Sequence, residues 1–143
     1  MRVNLKKIMS NIQKKIKKDW RKLNFDYSLE RNEVDVTANL TLNNHDDDIR
    51  VVINVYDGGM AFFRAVFDKA DVTPELLTLL NKFNDDNSFF TAFVREDGYL
   101  ELRNVIAFYD DKVFKEYPGE FLTRLANLAD DETLQQITSM THG

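Results

Sequence analysis

Three acidic clusters and two histidines are the residues of this 143-residue chain whose types could do chemistry. His45-Asp46-Asp47-Asp48 offers donors to a metal. A hard cation wants six or more oxygens from a shaped loop, as in the D-x-D-x-D-G pattern closed by a bidentate Glu. That spacing is absent, and consecutive aspartates in a loop point in different directions, so a solvated turn is the better reading. Asp85-Asp86 and Asp110-Asp111 could supply paired carboxylates. Glycosidase or nuclease work needs such groups held at a defined separation in a cleft, and nothing in the sequence makes them converge. Surface loops are expected there. Neither His45 nor His142 falls in a nucleophile–base pattern, and Gly58-Gly59 lacks the spacing of a phosphate cradle. The expectation is a non-enzymatic protein with no metal and no cofactor.

The remaining chemical feature is charge. Net charge is −5, unevenly placed. Residues 1–24 carry nine basic residues and one acid, a net of +8; residues 25–143 carry ten basic and 23 acidic residues, a net of −13. Such asymmetry points to a partner or to a solvated face. Cysteine is absent, which excludes disulfides and Cys-type zinc sites and fits a reducing cytoplasm. Hydrophobic residues make up 43%, enough for one core, so a single domain over 1–143 is expected. No run approaches the ~20 apolar residues of a membrane span, and lysines interrupt any signal-peptide pattern near the start. A cytoplasmic location follows as an expectation.

The cations must be positioned by a helix. Leu5, Ile8, Met9, Ile12, Ile16, Trp20 and Leu23 recur at i, i+3, i+4 and i+7, which predicts one amphipathic helix over 4–23 with its lysines opposite. The period then drops to two. Phe25–Leu29, Val34–Leu42, Ile49–Tyr56 and Met60–Phe67 read as strands, with a hairpin at Asp57-Gly58-Gly59. Thr73 with Pro74 opens a helix to about Phe83, broken by Asp85-Asp86-Asn87-Ser88. Phe89–Arg95 and Tyr99–Phe108 flank an Asp97-Gly98 turn, and Tyr117-Pro118-Gly119 starts a last helical region with a second piece after Asp130. The order implies an α+β fold: one antiparallel sheet of five to six strands with N-terminal, middle and C-terminal helices on one face.

The stretch LLTLLNKFNDDNSFFTAFVREDGYLEL, from Leu76 to Leu102, resembles the YbjN-like family of bacterial sensory transduction regulators. Leu79-Leu80-Asn81-Lys82-Phe83-Asn84 ends a helix before a strand with Phe89 and Phe93; Asp97-Gly98 turns, and Leu100 and Leu102 follow. The resemblance implies the fold of type III secretion chaperones and nothing catalytic.

Function is then a matter of surfaces. The candidate partner-binding residues are Lys14, Lys17, Lys18, Arg21 and Trp20. A packed first helix with a solvated basic back is the leading reading of them, and an acidic protein partner, including a second copy of the chain, comes next. The expected role is a chaperone-like, protein-binding regulatory module. The alternative is a regulator that binds nucleic acid through the basic helix, or mimics it through the −13 body. Nucleic acid is disfavoured because that body repels phosphate and no RNP pattern is present. Membrane binding is disfavoured because it would need the apolar stripe free.

Overall fold

A computed structural model describes residues 3–21, 23–41 and 48–142. The His45-Asp46-Asp47 cluster lies outside them. The elements run α1 (Leu5–Asp19), β1 (Phe25–Leu29), β2 (Glu33–Thr41), β3 (Asp48–Tyr56), β4 (Met60–Ala70), α2 (Pro74–Asp86), β5 (Thr91–Val94), β6 (Tyr99–Ala107), α3 (Tyr117–Asn127), α4 (Glu132–Ser139) and β7 (Thr141–His142). A 3-10 turn at Asp111–Lys115 precedes α3, and another at Leu128–Asp130 follows it. The sheet is antiparallel with strand order β1-β2-β3-β4-β6-β5, and β7 pairs with the far end of β4. The fold is α+β, as the sequence implies.

All helices lie on one side of the sheet, and strand alternation makes that side apolar. Val34, Val36, Ile49, Val51, Ile53, Val55, Ala61, Phe63, Ala65, Leu100 and Leu102 are buried at every second position. Between sheet and helices, Phe63 meets Phe121 at 5.3 Å and Tyr117 at 5.0 Å, ring centre to ring centre. The hairpin glycines Gly59 (φ 93°) and Gly98 (φ 91°) occupy the left-handed region that only glycine enters freely.

Local chemistry sets the helix limits. Asn4 caps α1 by accepting from Lys7 N–H at 3.2 Å, and Thr73 caps α2 by accepting from Leu76 N–H at 3.1 Å, with Pro74 behind it. The first helix ends at Asp19, not at residue 23. A helix to Leu23 would leave one residue in which to reverse into β1; instead Trp20 leaves helical geometry (φ −132°, ψ 35°) and starts the reversal. The second helix runs on through Asp85 and Asp86, so these acids sit on its exposed last turn rather than in a loop. Residues 89, 90 and 95 are excluded from the fifth strand. Asn87 Oδ1 accepts from Phe89 N–H (3.0 Å) and Phe90 N–H (2.7 Å), turning the buried Phe90 into the core before strand pairing begins.

The sheet has two edges, and the β5 edge is closed by a side chain. Asn84 Nδ2 donates to Ala92 C=O at 3.0 Å, and Asn84 Oδ1 accepts from Ala92 N–H at 2.7 Å. The amide occupies the place of a neighbouring strand, one of the ways proteins blunt an edge. Asn84→Ala should lose both bonds and cost roughly 1–3 kcal/mol. A lowered urea midpoint, with aggregation rising with protein concentration, is the expected result.

Candidate functional site: a basic helix face and an arginine cluster

On α1, Leu5, Ile8, Ile12 and Ile16 are buried, so the apolar stripe belongs to the core. One flank is pinned to the segment leading into α3. Asn11 Nδ2 donates to Asp111 C=O at 3.1 Å, and Lys7 lies 3.6 Å from Asp111. Lys15 Nζ bridges Asp19 (2.8 Å) and Glu116 (2.9 Å). Its stem lies over Gly119, where a Cβ would sit 2.5 Å from Lys15 Cε, so the absent side chain lets α1 approach α3.

The bridge raises the Lys15 ammonium above the ordinary 10.5, chiefly through the hydrogen bond to Asp19 and then that to Glu116. A raised folded-state value makes its contribution complete below pH 10.5 and lost as pH climbs through the raised value. The stability gap between the protein and its Lys15→Met variant, which keeps the packed stem, should therefore close above pH 10.5. Urea midpoints at pH 8 and pH 11 check this.

Among the described residues the acidic body thus reaches Lys7 and Lys15 and no other cation of α1. Lys14, Lys17, Lys18 and Arg21 are exposed and form no ion pair among the described residues. The first three stand on the helix, and Arg21 follows its end. Trp20 donates its backbone N–H to Ile16 C=O at 2.7 Å, and its half-buried side chain packs on the core. Lys22 lies outside the described residues. Asp110 and Asp111 have local roles instead of converging: Asp110 accepts from Lys112 N–H at 2.8 Å, and Asp111 faces α1. His142 Nε2 lies 3.5 Å from Asp71. Among the described residues no three His, Asp or Glu side chains gather as a metal would need, and no helix is long and apolar enough to cross a membrane.

The helix-free face of the sheet holds a constellation that sequence reasoning missed. Glu101 is fully buried there, under three guanidinium groups. Arg103 Nε lies 2.7 Å from Glu101 Oε2, Arg95 Nη1 3.5 Å from Oε1, and Arg64 Nη1 3.8 Å from Oε1. Aromatic rings support the cations. Arg64 sits 4.9 Å from the Phe62 ring centre, Arg103 4.6 Å from that of Phe93, and Arg95 5.8 Å from that of Tyr99. Arg64 Nε is buried without a hydrogen-bond partner among the described residues. Across the sheet the same face turns acidic. Glu33 faces Tyr56 in register, and burial, with Asp35 beside it, pushes the Glu33 carboxyl up. The signal available was Leu100-Glu101-Leu102-Arg103, where an acid and a base two apart on a strand share one face.

No family model matches this chain, and no curated protein matches it.

Proposed function

We propose that the protein is a non-enzymatic, protein-binding regulatory module that receives an acidic protein surface on the exposed cations of α1. The carrying observation is that Lys14, Lys17, Lys18 and Arg21 are exposed and without an ion pair among the described residues, on a chain whose residues 25–143 carry −13. Like charges at i, i+4, such as Lys14–Lys18, disfavour an isolated helix by roughly 0.2–0.5 kcal/mol each. Burial of Ile8, Ile12 and Ile16 holds the helix regardless and keeps its apolar stripe from lipid. The −13 body works against an extended polyanion such as nucleic acid, whose phosphates it repels. The α+β order is compatible with a YbjN-like, secretion-chaperone-like protein acting in the cytoplasm, and that assignment is part of the proposal.

The test compares immobilised protein with its Lys14→Glu/Lys17→Glu/Lys18→Glu variant in native lysate, with and without nuclease. Retention of a protein that the variant loses, that weakens with salt and that survives nuclease is the expected result. Retention unchanged by the three substitutions, or abolished by nuclease, overturns the proposal.

A further inference from the structure

Strand β6 is longer than its outer neighbour. Thr91 of β5 pairs with Arg103, and the pairing ends there, while β6 continues to Ala107. The phase of the β4–β6 ladder decides where the leftover backbone points. Phe108 N–H donates to Gly59 C=O at 2.9 Å, so Ile106, Asn104 and Leu102 alternate with it as the residues bonded to β4. The N–H and C=O groups of Val105 and Ala107 therefore point away from β4, past the start of β5. Phe89 would be the next partner in register, but its N–H goes to Asn87 Oδ1 and its C=O accepts from Asn104 Nδ2 at 3.0 Å. Among the described residues no strand covers this edge. Val105 is 41% exposed, and Ala107 is exposed as well.

A cleft of about 510 Å³ lies against this edge, walled by Phe89, Phe93 and Val105, with Thr91, Asn104 and Arg103 completing it. Arg103 is tied to Glu101 through Nε only; its two terminal nitrogens make no hydrogen bond among the described residues, and a third of the side chain is exposed. At the other side Arg124 lies 4.6 Å from the Phe89 ring centre.

We propose that the free edge of β6 captures the C-terminal end of an extended peptide, with Arg103 receiving its carboxylate. Direction and charge select this occupant. A strand laid antiparallel on Val105 and Ala107 runs the same way as β5, so its C-terminal end arrives where Thr91 blocks further pairing and where Arg103 stands. Main-chain bonds to Val105 and Ala107 supply affinity, and alternate side chains rest on Phe89 and Val105. A carboxylate on a guanidinium is the strong, charge-assisted form of hydrogen bond. The proposal rests on the protein-binding reading but uses none of the α1 cations.

The test is an amide-resolved NMR titration of the full chain with a pool of hexapeptides alternating valine and threonine, once as free acids and once as C-terminal amides. The acid pool should shift residues 89–93 and 103–107, and the amide pool should bind about tenfold or more weakly. Val105→Pro, which removes an N–H that β4 does not use, should abolish the shifts while the remaining spectrum stays folded. Equal binding of acids and amides, shifts confined to α1 or β1, or no shifts at all would each overturn it. Silence here beside salt-sensitive capture through α1 would retire this site and leave the protein-binding reading standing.

Discussion

Ile12→Ala should cost about 2–5 kcal/mol, the range for truncating a large aliphatic in a packed core. Ile12 is fully buried, flanked one turn away on each side by the buried Ile8 and Ile16. Its helix lies against β1, β2 and the segment that carries Asp111 and Glu116, so a cavity there loosens several elements together. A domain of this length has roughly 5–15 kcal/mol in all, so the melting temperature should fall by about 10 °C. The opposite face gives the contrast. Lys14→Ala and Lys17→Ala should each stay within about 0.5 kcal/mol of the parent, because both side chains are exposed and form no ion pair among the described residues. Urea midpoints of the three variants measure the comparison. A loss below 1 kcal/mol at Ile12 would mean that α1 is not part of the core.

That contrast was legible in the sequence, because an amphipathic helix states its buried face through its 3.6 period. The strands were legible through their period of two, and Asp57-Gly58-Gly59 and Asp97-Gly98 marked their turns. Boundaries were harder. The apolar period of α1 continues through Trp20 and Leu23, yet the helix ends at Asp19 and Trp20 packs on the core from outside helical geometry, since periodicity does not distinguish a helix from a turn that keeps the same apolar spacing. Phe89 and Phe90 look like strand and are held out of it by Asn87, whose contribution is a side-chain bond and not a propensity. The arginine cluster was hidden for another reason. Arg64, Arg95 and Glu101 come from separate stretches, and only the placement of β6 between β4 and β5 brings them together. Composition showed an acidic body that could quench the lysines. Which lysines it quenches depends on Asp111 and Glu116 lying beside α1, again a matter of topology.

Glu101→Ala tests that hidden cluster and should be the other strongly destabilising change, at about 3–5 kcal/mol, the range for removing one partner of a buried ion pair. The carboxylate is wholly buried and is the shared counter-ion of three guanidinium groups. Without it, Arg64, Arg95 and Arg103 confront one another across the face, and among the described residues only Asp97 is left as an acidic partner, for Arg95. The arginine side chains keep 21–33% of their surface exposed, so they can swing toward water, and the loss belongs at the lower end of the range. Glu101→Gln should fall between, since it retains an acceptor and discards the charge. The decisive comparison is the double variant Glu101→Leu/Arg103→Leu. Replacing a buried pair by apolar side chains is often neutral, so the double variant should be more stable than either single one, with a coupling of roughly 1–3 kcal/mol in the double-mutant cycle. Additive losses would mean that the guanidinium groups are held by the rings of Phe62 and Phe93 and that Glu101 is incidental to them. Coupled losses would mean that the carboxylate orders Arg103, and so fixes the cation that stands at the mouth of the β6 cleft.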